Sequence, residues 1–313
     1  MNVDDALPFV GVVTVTYNSE EVLPDFLDSL AAQRNVRVRL YAIDNDSHDR
    51  TLAVLGGYEE RIDIVTLANS ENLGIAVGNN QGIEQAFADH VDWVLILNND
   101  TLFPEDALAN LVEEADTHGL DVVSPLIEAT EPSGSVWYAG GDIIRWQGMK
   151  PIHAYAGQPM SSVPRRLVRT PYASTCCLLL RPQVFVDVGL MDPVYFVYYD
   201  DIDFAIRVAE SGYQFWLSPA TVITHKASSL AGGPDSQFFV RWRSRNWVLI
   251  ARKHLSRWGV LRAIVYIEAW ALARLIVRRD SWSVWKLRQK SFGEGMRVTT
   301  STSAPRLPLN ALA

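Results

Sequence analysis

Short apolar runs alternate with helical patterns through the first 125 residues of the chain. The apolar runs predict strands at residues 9–15, 38–43, 62–67, 93–97 and 122–125. Apolar side chains spaced by three and four residues predict helices at residues 21–33, 50–56, 78–88 and 105–118. Strands that alternate with helices favour right-handed crossovers. The pattern therefore predicts an α/β fold with a Rossmann-like, mainly parallel central sheet and helices on both faces.

The pattern is less regular after residue 125. Residues 128–170 are rich in Gly, Pro and Ser, which predicts short antiparallel strands or a mobile loop over a site. A buried strand is predicted at residues 174–180, and helices at residues 184–189 and 205–212. These changes divide the chain into a first half at residues 1–125, a second half of the same domain at 126–250, and a helical extension at 251–313.

Composition excludes several classes of protein. A chain of 313 residues with 48% hydrophobic content can bury a large core and is not disordered. Its two cysteines, Cys176 and Cys177, are adjacent, and adjacent cysteines rarely reach disulfide geometry, so a reducing, cytoplasmic setting is expected. The first five residues are acidic and lack the basic start and apolar stretch of a secretion signal. We therefore expect the protein to stay where it is made.

The net charge of −8 is unevenly distributed. Residues 241–290 contain thirteen Lys or Arg against two acids, a local charge of +11 that leaves −19 for the rest. Such asymmetry predicts a negatively charged partner. Nucleic acid is not expected, because the acidic first 240 residues would repel it.

An apolar stretch at residues 259–277 lies within this basic segment. Arg262, Glu268 and Arg274 interrupt it, and a charge near the centre of a spanning helix costs about 2.5–3.5 kcal/mol, which argues against a transmembrane helix. The basic, Trp-rich extension instead predicts a helix lying on the inner membrane surface. The alternative is a helix buried in the core or in a homodimer, with its basic residues in solvent.

The most informative segment is the apolar run at residues 94–97, which leads directly into Asn98, Asn99 and Asp100. Parallel sheets bind ligands beyond the carboxyl ends of such buried strands, so Asp100 lies where a metal or substrate is expected. The alternative is a turn in which Asp100 caps the helix that follows Pro104.

Three carboxylates, Asp200, Asp201 and Asp203, form a second candidate site at the start of a predicted helix. They repel one another unless a helix N-terminus, a cation or a shared proton offsets the charge. One of them is then a candidate general base with a raised pKa. The alternative is that all three only stabilise the helix dipole.

Eight short segments occur in a fixed order between residues 9 and 250. They are VTYN at 15–18, IDNDSHD at 43–49, NLGIAVGNNQGI at 72–83, LNND at 97–100, VGLMD at 188–192, YDDID at 199–203, His225, and RN at 245–246. In this order they resemble glycosyltransferase family 2, which has the GT-A fold, and most of all its rhamnosyltransferase-like members that build bacterial surface polysaccharides. The resemblance implies that residues 1–125 bind a nucleotide sugar and that residues 126–250 bind the acceptor and catalyse transfer.

The resemblance also implies a set of donor-binding residues. They are Thr16, Tyr17, Asn18, Asp44, Asn72, Gly74, Asn79, Asn98, Asn99, Asp100 and Arg245. Asp44 is similar to the aspartate that recognises the base or ribose. In the loop that contains Gly74, glycine lets the backbone approach closely and amide N–H groups face a phosphate, although ordinary turn geometry is the commoner reason for a glycine. Arg245 would reach the diphosphate or, alternatively, form a surface salt bridge.

Asp100 is similar to the last residue of the family's Asp-x-Asp motif, which holds a divalent cation, Mg²⁺ or Mn²⁺, against the donor diphosphate. Asn98 stands at the first position of that motif, so one anionic contact is lost. His225 matches a position where family members place a second metal ligand, although a lone histidine at a strand end is more often structural.

Asp201 is similar to the family's catalytic base, with Asp200 and Asp203 in support. The resemblance therefore implies an inverting, metal-dependent transferase that moves a sugar from a nucleotide-diphosphate donor to a glycan or polyprenyl-linked acceptor. The rhamnosyltransferase-like members indicate rhamnose as the sugar. One alternative is a catalytically weak member that binds a glycan or partner. Another is a sugar nucleotidyltransferase, but residues 16–19 lack the glycine- and arginine-rich loop that it needs.

Overall fold

The computed structural model describes residues 7–226, 236–300 and 304–307, so the N-terminal segment with Asp4 and Asp5 lies outside it. The strands are β1 (Phe9–Thr16), β2 (Arg37–Asp44), β3 (Asp63–Ala68), β4 (Trp93–Leu97), β5 (Thr101–Leu102), β6 (Val122–Ala129), β7 (Ser135–Tyr138), β8 (Gly141–Ile144), β9 (Lys150–His153), β10 (Val168–Thr170), β11 (Cys177–Leu180) and β12 (Phe215–His225). The helices are α1 (Leu23–Ala31), α2 (Thr51–Gly56), α3 (Ile75–Ala88), α4 (Ala107–His118), α5 (Pro182–Val188), α6 (Asp200–Glu210), α7 (Gln237–His254), α8 (Arg257–Ile276) and α9 (Trp282–Arg297).

A central sheet runs in the order β10-β12-β6-β11-β4-β1-β2-β3, with β5 beside β12 and β7 beside β6. β3, β2, β1 and β4 are parallel neighbours. β11 is antiparallel to both β4 and β6, whereas β12 is parallel to β6. The predicted parallel sheet is therefore confirmed for its first half, and the second half is mixed.

The burial of strands and helices in the first half agrees with the apolar pattern of the sequence. β4 is buried at every position, as a continuous apolar run predicts. α3 lies so close to β1 that a Cβ on Gly82 would meet Val13 Cγ1 at 2.4 Å. Cys176 and Cys177 are buried and free, in agreement with the expectation that they form no disulfide.

After residue 125 the structure confirms one predicted feature and corrects another. Residues 128–170 contain β7 to β10. Of the two alternatives for this region, short strands and a mobile loop, the structure therefore confirms the short strands. α6 begins at Asp200 rather than at residue 205, which puts all three carboxylates in its first turn. Acidic side chains favour that position because the helix dipole is positive there.

The predicted divisions of the chain fall inside continuous elements. Residue 125 lies within β6 and residue 250 within α7. α9 packs along α7, where a Cβ on Gly295 would meet the Arg245 carbonyl at 2.3 Å. In the described part of the chain, no helix is long and apolar enough to cross a membrane.

Candidate active site

The parallel strands β1 and β2 end together at one edge of the sheet. Thr16 at the end of β1 is in register with Asp44 at the end of β2, and its hydroxyl donates to Asp44 Oδ1 at 2.8 Å. Ser47 donates its N–H to Asp44 Oδ2 at 2.9 Å and its hydroxyl to Oδ1 at 2.6 Å. Asp44 is buried. In this structure it therefore holds the strand ends together, and its contact with a base or ribose stays a prediction.

Tyr17 and Asn18 form the turn after β1. Asn18 has a φ of 49°, donates its N–H to Ser47 Oγ at 2.9 Å and accepts from the His48 N–H at 2.8 Å. This turn leaves Tyr17 exposed at the sheet edge. Of these two side chains, the Tyr17 ring is the one accessible to a ligand.

The loop before α3 is fixed by its own polar groups. Asn72 Oδ1 accepts from the Gly74 N–H at 3.0 Å, and the Ile75 N–H donates to the Phe196 carbonyl at 2.6 Å. Gly74 has a φ of 85°, and a Cβ there would lie 2.4 Å from the Phe196 oxygen. Glycine is thus required at this position. Both amide groups are engaged within the protein, and the phosphate contact predicted for this loop stays a prediction.

Asn79 and Asn80 connect α3 to the segment before α6. Asn79 is buried, and its Nδ2 lies 3.4 Å from the Met191 sulfur. Asn80 bonds both the carbonyl and the N–H of Met191, each at 2.9 Å. The Asn79 side chain predicted to border the donor is therefore engaged inside the protein.

The two asparagines before Asp100 have different environments. Asn99 is buried, and its Nδ2 donates to the Val15 carbonyl and to Ser19 Oγ, each at 3.0 Å, which ties the end of β4 to the end of β1. Asn98 is exposed. Asn98 is therefore the one whose side chain is open to a donor.

Asp100 lies beside His225. Thr101 of β5 is in register with His225 at the end of β12, and the Lys226 N–H donates to the Asp100 carbonyl at 2.8 Å. This pairing brings His225 Nε2 to 3.0 Å from Asp100 Oδ1, and both side chains are buried. Asn99 and Asp100 do lie in a turn, but α4 begins only at Ala107, so the prediction that Asp100 caps it is wrong.

A carboxylate and an imidazole are donors that divalent cations accept. The described residues contain no group of three or more His, Cys, Asp or Glu side chains that could hold a metal. Asp100 and His225 therefore suit a cation that takes its remaining ligands from the donor diphosphate and from water.

Asp200 and Asp201 share the first turn of α6. Burial, and then the neighbouring Asp201 charge, raise the pKa of Asp200 to about 8. Burial also raises the pKa of Asp201, but the Tyr172 hydroxyl donates to its Oδ2 at 2.7 Å and favours the charged form. Asp201 keeps partial exposure to solvent. The two carboxyl groups therefore titrate as a coupled pair, in which Asp201 is the one with a hydroxyl donor to its charged form and partial access to solvent.

An aromatic row of Trp137, His153 and Tyr172 joins the two candidate sites. The His225 ring lies 4.4 Å from the Trp137 ring, which lies 5.0 Å from the His153 ring. The His153 and Tyr172 rings are 6.2 Å apart, and Tyr172 bonds Asp201. The chain fold thus places the predicted metal ligands and the predicted base at opposite ends of one continuous row.

Sequence reasoning missed the aromatic row. His153 Nδ1 lies 3.0 Å from the Trp137 carbonyl, which can only accept, so Nδ1 carries the proton. Burial lowers the pKa of His153, so the ring is neutral near pH 7. The sequence signal for this row is the aromatic content of an otherwise Gly- and Pro-rich region. The spacing of these aromatic residues does not indicate a shared site.

Asp203 is fully buried and holds α6 against α7. Its Oδ2 accepts from Arg207 at 2.9 Å, and its Oδ1 lies 2.7 Å from both Lys253 Nζ and His254 Nε2. Burial alone would raise the pKa of Asp203, but His254, Arg207 and Lys253 outweigh burial and hold it well below its usual range. The role of Asp203 in this structure is to support the helix.

The segment before α6 has an unusual backbone that α7 stabilises. Phe196, Tyr198 and Tyr199 have φ values of 62°, 63° and 68°, which are rarely adopted by side chains of this size. Asn246 Nδ2 donates to three carbonyls of this segment, those of Tyr195, Val197 and Tyr198. Arg245 Nη1 donates to the Val194 carbonyl at 2.9 Å. Arg245 therefore holds this segment, and its contact with the diphosphate stays a prediction.

Solved glycosyltransferase structures share this architecture. GalNAc-T7 with UDP, GalNAc and Mn²⁺ superposes with a TM-score of 0.65 at 16% identity, over 94% of this chain and 56% of that one. Staphylococcus aureus TarS 1–349 with UDP-GlcNAc superposes with a TM-score of 0.60 at 13% identity, over 97% of this chain and 83% of that one. These likenesses confirm the predicted GT-A fold.

Sequence comparison gives the family. The N-acetylglucosaminyl-diphospho-decaprenol L-rhamnosyltransferase of Mycobacterium tuberculosis is 29% identical over 281 residues, which cover 81% of this chain and 87% of that protein. The model of glycosyl transferase family 2 matches residues 11–186, more than half of the chain. That match covers β1 to β11 with Asp44 and Asp100, and the chain belongs to glycosyl transferase family 2.

Proposed function

We propose that this glycosyltransferase inverts the sugar carbon, depends on a divalent cation, and moves L-rhamnose from dTDP-rhamnose to a glycan carried on a polyprenyl diphosphate. The similarity to a mycobacterial enzyme whose name specifies a rhamnosyl transfer to a decaprenol-linked acceptor supports the substrates. The basic C-terminal region would place the protein on the inner face of the membrane, where such an acceptor is held.

The aromatic row is the observation on which the assignment of roles rests. It separates the Asp100–His225 pair from Asp201 while keeping both in one continuous set of contacts. Inverting transfer needs this separation, because the leaving diphosphate and the attacking hydroxyl lie on opposite sides of the sugar carbon.

Asp201 would act as the base. Its accessible carboxylate takes the proton of the acceptor hydroxyl while that oxygen bonds the sugar carbon and the bond from this carbon to the diphosphate breaks. The Tyr172 hydroxyl orients the carboxylate and favours its charged form, and the raised pKa of Asp200 disfavours a second charge beside it. A divalent cation, when bound at Asp100 and His225, stabilises the charge of the departing diphosphate.

The change Asp201→Asn tests the base directly. Transfer should fall by about 10²–10⁴-fold, because the amide cannot take a proton, while donor binding should persist. Calorimetric titration with donor measures binding, and release of nucleoside diphosphate measures turnover. Asp106→Asn, at an exposed site just before α4, is the matched control. Near-normal transfer by Asp201→Asn would exclude Asp201 as the base.

A weak or silent family member remains the second candidate because Asn98 replaces an acid of the metal motif. Slow hydrolysis of dTDP-rhamnose by the wild-type protein without acceptor separates the two. Hydrolysis that needs Asp100 supports an enzyme, and donor binding without any hydrolysis or transfer supports a binding protein.

A further inference from the structure

α8 has an apolar face that no other described element covers. Trp258, Val265 and Ile276 are 75%, 62% and 71% exposed, and Leu261 and Leu272 are about half exposed. The spacing of these residues by three, four and seven puts them on one side of the helix. We call these five residues the α8 stripe. The opposite side of α8, with Ala263, Ile267 and Ala271, is fully buried.

The charges around the α8 stripe are of one sign. Seven basic residues of α8, α9 and the turn between them are exposed: Arg257, Arg262, Arg278, Arg279, Lys286, Lys290 and Arg297. The acids of residues 257–297 are engaged within the protein. Glu268 accepts from Gln289 at 2.7 Å, Asp280 is buried with Arg274 and Arg288, and Glu294 faces Arg241. The surface is thus apolar along its centre and positive at its edges.

The β8–β9 hairpin connects this surface to the candidate active site. At its tip Trp146 is 63% exposed and lies 5.4 Å from the ring of Tyr266 on α8. At the end of β9, His153 belongs to the aromatic row that reaches Asp201. β9 spans roughly 10 Å at about 3.4 Å per residue. One short hairpin therefore runs from the edge of the α8 stripe to the surroundings of the base.

We propose that the α8 stripe and Trp146 together dock on an anionic lipid surface, so that the β8–β9 hairpin borders the route by which a lipid-linked acceptor reaches Asp201. An apolar face with tryptophans and basic edges suits the boundary between head groups and acyl chains. A second copy of this chain is disfavoured as the occupant, because two such edges would bring like charges together. The acceptor route rests on the proposed function, whereas the docking surface does not.

The docking surface is tested with the full chain and vesicles. Phosphatidylcholine vesicles with and without phosphatidylglycerol are floated with wild-type protein, with the triple change Trp258→Gln, Val265→Gln and Ile276→Gln, and with Trp146→Ser. All four side chains are exposed, so folding should persist, as circular dichroism would verify. Leu52→Gln, an exposed leucine on α2, is the matched control.

Wild type and Leu52→Gln should bind the anionic vesicles, and the triple change should weaken binding by at least about tenfold. Equal binding by the triple variant, or no binding by wild type, would overturn the proposal. The proposal would also be overturned if the wild type were a dimer and the triple change dissociated it without any effect on vesicle binding.

Donor hydrolysis without vesicles separates this proposal from the proposed function. The triple variant should hydrolyse dTDP-rhamnose as wild type does, and it should lose transfer only to an acceptor embedded in vesicles. Vesicle binding by a wild type that neither hydrolyses nor transfers would contradict the function and leave the surface standing. If the triple change and Trp146→Ser both left transfer to the embedded acceptor intact, the acceptor route would be contradicted.

Discussion

Asp100 and His225 are the two described side chains that we propose as ligands of a cation, and their pairing makes a residue-scale prediction. Asp100→Ala should remove the increase in donor affinity that Mn²⁺ produces, because one imidazole and the donor phosphates hold the ion poorly. Calorimetric titration of dTDP-rhamnose with and without Mn²⁺ measures this. Asp106→Ala, an exposed acid at the start of α4, is the control. An unchanged Mn²⁺ effect in Asp100→Ala would contradict the metal assignment.

Tyr172 controls the charge of the proposed base. Burial and the Asp201 carboxylate raise the pKa of Tyr172, so its hydroxyl stays protonated and donates. Tyr172→Phe removes the bond that lowers the pKa of Asp201, so this pKa rises. Because the base must be charged, the acidic side of the pH–rate profile should move to higher pH.

Tyr138→Phe is the matched control for this prediction. The Tyr138 hydroxyl is also buried next to the aromatic row, but it donates to the Tyr172 carbonyl at 2.7 Å and not to Asp201. It should lower stability without moving the pH profile. Equal displacement of the profile in both variants would mean that the Tyr172 bond has no specific effect on the base.

At the scale of elements, the buried charges on Asp203, Arg207 and Lys253 decide how α6 meets α7. Asp203→Asn leaves Arg207 without its anion and Lys253 with Asp192 alone, and it should cost about 3–5 kcal/mol of unfolding free energy, measured by urea denaturation. Asp28→Asn removes an exposed pair with Arg61 and should cost less than about 1 kcal/mol. Similar losses in both variants would contradict the structural role.

The pH dependence of that loss has a defined sign. The pKa of Asp203 is lowered in the folded state. Its charge therefore stabilises the protein above the ordinary pKa of about 4, and this contribution disappears as the pH falls further. The stability difference between wild type and Asp203→Asn should accordingly shrink below about pH 4.

At the scale of the whole molecule, the positive charge of the C-terminal region divides into two groups. Arg274 and Arg288 bond Asp280, and Arg252 donates to the Gly295 and Val298 carbonyls, so these residues hold the three last helices together. The basic residues at the edges of the α8 stripe are exposed. Deleting residues 257–313 would remove α9 from α7 and disturb Asn246, so substitutions on the exposed face test membrane docking more directly.

The sequence by itself determined the first half of the fold. Buried parallel strands such as β4 form continuous apolar runs in the sequence, and Asp44 and Asp100 follow such runs at the edge where parallel sheets bind ligands. The order of short motifs also identified the family and singled out Asp201. These features are local, so they survive in the chain as a pattern of neighbouring residues.

Only the tertiary structure decided which side chains meet. Trp137, His153 and Tyr172 come from three separate short segments, and strand pairing far apart in the chain brings them between His225 and Asp201. The tertiary structure also decided the contacts of Asn79, Asn99 and Arg245. The motifs assigned these residues to the donor, and in the structure their side chains bond other parts of the protein. A residue's type and spacing state what it can do, whereas its contacts across the fold determine which of those roles is open to it.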